Sequence, residues 1–436
     1  MADTATPPAA TAGASVSVVL RLGTAQTLAW ASSYYLPTLL AAPMARDLGL
    51  RSASVFLAFS GALLIAALLG PWAGRTIDRQ GGRTVLGSTS LLFAAGLAAM
   101  ACAQGPVGLA AAWGLMGLAM GAGLYEAAFA ALVAQHGHAA RRAISGITLL
   151  AGFASTVGWP LSAWMEAAWG WRGSCLGWAA LHLLIGLPLN LSLPFRTPAN
   201  PRANSGPAPQ EDASRPAEAA PQGTAPHAPR TAAADTPTPE AAHAPAHRNA
   251  PGAMALLGLV FAIGWFTSTA MAAHLPALLQ AHGATAAGAL ALATLVGPAQ
   301  VVARILEFGG MQRLHPLTAT RLATLGHPLG ALILMALGSP AAIAFVLLHG
   351  AGNGILTIAK GTLPLALFGP TAYGARQGWI LLPGRLAQVL APGLFGLWME
   401  HDATRALWWT AAGGVIALLA LQVLGRISLP AHTSQK

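Results

Sequence analysis

An all-α integral membrane protein is the fold class that this 436-residue chain predicts. Hydrophobic residues make up 55 % of it and charged residues only 8 %, against roughly a quarter charged in a soluble domain. Apolar windows recur at the length of about 20 residues that a helix needs to cross about 30 Å of hydrocarbon. The charges that remain gather in the short stretches between those windows.

In chain order, the windows place spans at about 17–42, 53–73, 84–103, 107–134, 143–166 and 174–194, then at about 252–280, 285–306, 318–338, 341–367, 376–399 and 405–428. The opening MADTATPPAATAGASVS has no cation before Arg21 and no small-residue cleavage pattern, so the first span is expected to be retained rather than removed as a signal peptide. Twelve spans put both termini on one side. That side collects Arg75, Arg79, Arg83, Arg141, Arg142, Arg313, Arg321, Arg376 and Arg426, the other only Arg46, Arg51, Arg172 and Arg405, so both termini are expected in the cytoplasm, with the chain in the inner membrane. The formal charge of +10 is dispersed over loops rather than clustered with aromatics, which argues against a nucleic-acid partner. Cys102 and Cys175 are too few for a disulfide framework and read as small buried hydrophobes.

These boundaries divide the chain into a cytoplasmic N-terminal tail (1–16), a six-helix bundle (17–195), a linker (196–250), a second six-helix bundle (251–428) and a cytoplasmic tail (429–436). The linker is rich in Pro, Ala, Thr and His with few large apolar residues, so it is expected to be disordered. The two bundles look like copies. An ungapped shift of 234 residues pairs Gly49 with Gly283, Arg79 with Arg313, Pro106 with Pro340, Glu126 with Lys360, Arg142 with Arg376, and Trp164, Met165 and Glu166 with Trp398, Met399 and Glu400. Six is even, so both copies enter the membrane in the same orientation as parallel repeats, with a cavity expected between them.

Between the second and third spans the chain reads GRTIDRQGGR. Gly74, Asp78, Arg79, Gly81 and Arg83 resemble the signature loop of the major facilitator superfamily, with Gly82 standing where a basic residue is common. The resemblance covers all twelve spans and the linker. It implies a secondary transporter working by alternating access, in which this loop acts as a cytoplasmic latch. The second copy, EFGGMQRLHP, keeps Arg313 but has Gln312 where Asp78 stands in the first, so the latch is expected to rest on Asp78. GWRG at 170–173 resembles an outer-loop Gly-Trp-Arg of the same superfamily. Gly146, Gly152, Gly158 and Pro160 on the fifth span only loosely resemble its antiporter motif and read as close packing with a bend.

Ionisable residues inside spans each cost about 2.5–3.5 kcal/mol at the helix centre on insertion scales, so they mark partners or a wet cavity. They are Glu126, Arg304, Glu307, Lys360 and Arg385. In the superfamily, spans one, four, seven and ten line the cavity, and the repeat places Glu126 and Lys360 at equivalent points on four and ten. They are expected to face each other as a salt bridge or proton-sensitive switch, Glu126 being the candidate for proton coupling. Arg304 and Arg385 suit a carboxylate or another oxyanion. AQVVARILEFGG resembles the eighth span of monocarboxylate porters and oxalate/formate-type exchangers, which assigns anion binding to Arg304; Arg385 echoes the exchangers' cation on the eleventh span. Gln300 occupies the position where the proton-coupled porters carry an Asp.

Two functional readings therefore stand. One is a transporter of a small organic or other anion. The other is proton-driven efflux of a drug or a toxicant such as arsenite, because the first, fourth and fifth spans also resemble bacterial efflux members. For an uncharged solute the candidate cavity groups are the Ser32, Ser33, Tyr34 and Tyr35 run, His274, His349 and Asn353. A transporter-like receptor without flux is the third possibility; deleting residues 200–248 separates it from a carrier. The sequence contains no phosphate-binding loop and no His, Cys and carboxylate cluster at metal spacing, so neither an enzyme nor a cofactor or metal is expected. The expected partners are a small solute, the bilayer, and protons or a counter-transported anion, with the chain acting as a monomer.

Overall fold

The computed structural model describes residues 14–194 and 251–428. The expected linker, the C-terminal tail and most of the N-terminal tail lie outside the described residues. Among these there are α-helices and short 3-10 and π turns but no strand. The helices are α1 (Val16–Ala31), α2 (Pro37–Asp47), α3 (Ser52–Gln80), α4 (Gly82–Ala101), α5 (Pro106–Gly123), α6 (Tyr125–His136), α7 (Ala140–Ala151), α8 (Ala154–Leu181) and α9 (Leu187–Leu191). After the linker come α10 (Pro251–Ala281), α11 (Ala286–Thr294), α12 (Val296–Gly309), α13 (Pro316–Leu337), α14 (Ala342–Phe368), α15 (Tyr373–His401) and α16 (Ala403–Ser428).

These combine into twelve membrane passes. Helices α1 and α2 form one pass, unwound over residues 32–36, and α5 and α6 form another, broken where Leu124 turns extended (φ −85°, ψ −168°). Helix α7 runs through a break at 152–153 into α8, which reverses at Gly170, whose φ of 68° is a left-handed value that glycine adopts without strain. The rest of α8 returns through a π turn at His182–Gly186 to α9. Helices α11 and α12 share one pass, interrupted at Leu295, and α3, α4, α10, α13, α14, α15 and α16 each cross alone.

The expected duplication reappears in the helix boundaries. The starts of α3 and α11 (Ser52 and Ala286), the starts of α4 and α13 (Gly82 and Pro316) and the ends of α2 and α10 (Asp47 and Ala281) each stand 234 residues apart. Gly49 and Gly283, paired by the same shift, both take positive φ (66° and 92°) and make the same turn after the first helix of each half.

Large apolar side chains face outward all round the bundle, among them Leu57 (74 % exposed), Leu68, Trp72, Leu184 and Leu419. Water would not tolerate such a continuous coat, whereas acyl chains solvate it at no cost. Trp164 and Trp169 are exposed at one boundary with their rings 5.1 Å apart, as interfacial anchors. One small expectation fails: Cys175 is buried, but Cys102 caps the end of α4 and is exposed.

The core divides unequally along the membrane normal. At the end carrying GRTIDRQGGR, here the latch end, the core built on Val18, Ile77, Phe129 and Ile144 runs on into Leu365 and Tyr373 of the second half. There α3 and α6 pack on α15, and α7 packs on α12 and α14. At the far end the clusters remain separate, one around Leu40, Met44, Trp113 and Trp178, the other around Met271, Leu275, Phe345 and Phe395. The halves are therefore welded at one end and parted at the other.

Candidate functional site

Between the parted halves lies a cavity of about 870 Å³. Its wall is built largely from the broken passes. A helix can be interrupted at membrane depth only where the freed backbone groups meet protein or a wet cavity, and the breaks at 32–36, Leu124, 152–153 and Leu295 all adjoin this space. Tyr34 and Tyr35 reach it from the unwound segment of the first pass, and Gln300 and Arg304 from α12. His349, Asn353 and, two turns further on, Lys360 reach it from one face of α14, and Glu126 from the first turn of α6.

Glu126 occupies a helix N-terminus created in mid-membrane by the break at Leu124, where the dipole favours a carboxylate. Its partner differs from the one expected. Glu126 Oε2 accepts from Arg385 Nη2 at 2.6 Å, with the two side chains 17 % and 12 % exposed. The repeat set Glu126 and Lys360 at equal depth, but α15 lies against α6 and presents Arg385 directly to the carboxylate. Lys360 instead rests its ammonium on the face of Trp265, 4.1 Å from the ring centroid, with the Arg385 guanidinium 5.9 Å from the same ring.

Arg304 is 6 % exposed. Its Nη1 donates to the Thr148 carbonyl at 3.2 Å, its Nε to the Gly354 carbonyl at 3.4 Å and its Nη2 to Gln300 Oε1 at 3.3 Å. Thr148 lies in the last turn of α7, and Gly152 at the break abuts the guanidinium so closely that a Cβ there would strike Nη1. Neither Arg304 nor Lys360 has a carboxylate at ion-pair distance among the described residues. Glu307, one turn beyond Arg304, is 2 % exposed and does not pair with it.

Below the cavity the structure narrows in steps. The Glu126 and Arg385 pair forms the floor, above a glycine seam in which Gly74 meets Gly374 and Gly378 meets Pro71, with no room for a Cβ at either. Below the seam, Asp78 Oδ1 accepts from the Gly374 N–H at 2.9 Å and Oδ2 from the Ala375 N–H at 2.8 Å. Those are the second and third residues of α15, whose own N-cap, Ala372, has no capping side chain and sits at φ 49°. Asp78 thus caps, from the other half, a helix that cannot cap itself. Gly81 (φ 84°) reverses the chain into α4. Gly82 faces Ala131 too closely for a side chain, which explains the missing basic residue. Arg79 is exposed, and Arg83 is half-buried.

The remaining candidates are placed elsewhere. His274 does not line the cavity: its Nε2 contacts the Pro392 carbonyl at 2.9 Å beside Phe395, tying α10 to α15. In the Gly-Trp-Arg segment, Trp171 Nε1 donates to Asp47 at 3.2 Å and Arg172 pairs with Asp47, so this motif fastens the first pass to the sixth. No motif or charge in the sequence marks Trp265, Gln388, which donates to Tyr34 across the halves at 3.0 Å, or His327, bonded to His349. The break at Gly152 was legible as a bend, without showing that it serves Arg304.

The sequence profile of the Major Facilitator Superfamily matches residues 22–340. The chain belongs to the major facilitator superfamily. Its fold is shared by the human organic anion transporter MFSD10 (TETRAN), with a TM-score of 0.65 at 18 % identity, covering 93 % of this chain and 99 % of that one. The Escherichia coli fucose:proton symporter FucP gives 0.67 at 14 %, covering 94 % and 98 %. A bacterial homologue of the iron transporter ferroportin, in an outward-facing state, gives 0.65 at 12 %, covering 94 % and 99 %. No curated protein matches the sequence. This superfamily member is a multi-pass membrane transporter of small solutes, not an enzyme.

Proposed function

We propose that this superfamily member carries a small organic or other anion across the inner membrane by alternating access, with both termini and the latch in the cytoplasm and one chain sufficient. The observation that carries this reading is the charge arrangement of the cavity. Glu126 is already neutralised by Arg385, which leaves Arg304 and Lys360 facing the space without a carboxylate of their own. An oxyanion entering between them supplies the missing charge, and a guanidinium held by two carbonyls and an amide presents its remaining N–H groups to it. With the latch end welded and the far end parted, the conformation corresponds to an outward-facing state.

The cavity's aromatic wall, including Trp30, Tyr125, Trp159 and Trp265, favours an anion with an apolar body. It also supports the second reading, export of an aromatic, uncharged solute. Arsenite has less support, because neither Cys102 nor Cys175 lines the cavity. Proteoliposome flux of a panel of carboxylates, inorganic oxyanions and uncharged aromatics tests both. Carboxylate flux in wild type that fails in Arg304→Ala supports the anion reading; carboxylate flux unaltered in that variant removes it.

A further inference from the structure

Behind the cavity wall a second, smaller space of about 30 Å³ lies inside the second half, and His349 and Asn353 line both. His349 Nδ1 stands 3.1 Å from His327 Nδ1, and His327 Nε2 stands 3.0 Å from Thr410 Oγ1. The Thr410 hydroxyl has one proton, which it donates to the Leu407 carbonyl at 2.9 Å. With its proton on that carbonyl, the hydroxyl accepts from His327 Nε2–H. A neutral His327 then has its lone pair at Nδ1, so His349 donates Nδ1–H, which leaves the lone pair of His349 on Nε2. That nitrogen takes no hydrogen bond from the described residues and belongs to a side chain on the cavity wall.

We propose that His349 Nε2 is a proton-binding site opening on the central cavity, and that it couples protons to the anion held by Arg304 and Lys360. The coupling rests on the anion reading above; the proton site does not. Protonation at Nε2 requires no rearrangement, since the resulting imidazolium keeps donating Nδ1–H to His327, whose own orientation is held by Thr410. Arg304 and Lys360 are the cations that share the cavity wall with His349, and the one carboxylate among the described lining residues, Glu126, is paired with Arg385. Helix α12 brings Arg304, whose Nε reaches the Gly354 carbonyl of α14, and α14 itself carries Lys360. Helices α10, α13 and α16 bring Thr267, Ser268, Thr324 and Thr410, and the space behind the pair is lined by no carboxylate and no further cation. Lys360 stands about three turns beyond His349 on α14, so a proton on His349 adds a third positive charge to the same cavity wall, and an anion in the cavity offsets it. The proton and the anion therefore each favour the other's binding by the same factor. This supplies symport coupling where Gln300, which accepts from Arg304, has no proton to exchange and Glu126 is committed to Arg385.

Tryptophan-fluorescence titrations with benzoate and with fumarate, from about pH 5 to about pH 8, test the proposal across the range where histidine changes charge. In wild type the affinity falls about tenfold per pH unit where binding takes up one proton. His349→Gln abolishes that slope, His327→Gln displaces it along the pH axis, and His274→Gln, outside the cavity, leaves it unchanged. A wild-type slope persisting in His349→Gln overturns the proton site while the anion reading stands. If neither carboxylate binds at any pH, the anion reading fails and the proton site is judged alone. The carbon-13 ring signal of labelled histidine that disappears in His349→Gln is then followed over the same range. A signal that titrates upholds the site; a static one overturns it.

Discussion

The carboxylate of Glu126 and the guanidinium of Arg385 meet at 2.6 Å across the boundary between the two halves of the molecule. One comes from a helix that begins in mid-membrane and the other from a helix packed against it, so the pair closes the cavity floor and consumes the only carboxylate among the described lining residues. The chemistry left to the cavity is consequently cationic.

Removing one member of this pair strands the other in a poorly solvated place. Glu126→Gln and Arg385→Gln are each expected to destabilise the protein by about 3–5 kcal/mol, and the double variant by much less than their sum. Thermal unfolding in detergent, analysed as a double-mutant cycle, checks this. Additive losses would show that the two side chains do not depend on each other.

Asp78 holds α15 by two backbone N–H groups that no other capping side chain serves. Asp78→Ala is expected to weaken the contact between α3 and α15 by about 1 kcal/mol, roughly a fivefold shift in population, with Asp78→Asn in between. Distance distributions between spin labels on α3 and α15 at the latch end measure the shift, and an unchanged distribution would contradict the capping role.

At the seam, a Cβ on Gly74 would drive into the Gly374 carbonyl. Gly74→Val is therefore expected to hold the latch end apart and reduce transport more than Asp78→Ala does, because backbone, unlike a side chain, has no other rotamer to adopt. Flux assays on the two variants at matched expression rank them.

Gly152 acts on Arg304 without carrying charge. Gly152→Ala pushes against the guanidinium that Thr148 and Gly354 hold. Anion affinity is expected to fall about tenfold, equivalent to about 1.4 kcal/mol, while the fold, anchored elsewhere, keeps its melting temperature. Equilibrium binding and thermal unfolding of the same preparation separate the two effects.

The passes were legible because hydropathy follows directly from the solvent, and the repeat because Trp, Arg and Pro are scarce enough to register. Asp78 and Arg304 stood out for the same reason, as rare charges in an apolar chain. The breaks at Leu124, 152–153 and Leu295 were harder to read, since apolar residues and glycine look alike in an intact and an interrupted membrane helix. The choice of Arg385 over Lys360 depended on helix rotation, which a repeat offset does not encode. His274, equally polar in sequence, turns to a carbonyl of its neighbour instead of the cavity.

Whether Arg304 serves an anion's charge or only the packing of its helix is decided by comparing benzoate with benzamide, nearly identical in shape but differing by one charge. Equilibrium binding to wild type and to Arg304→Ala is expected to show a preference for benzoate in the first that disappears in the second. Equal binding of both compounds to wild type, or a benzoate preference that survives in Arg304→Ala, would mean that Arg304 does not hold the anion.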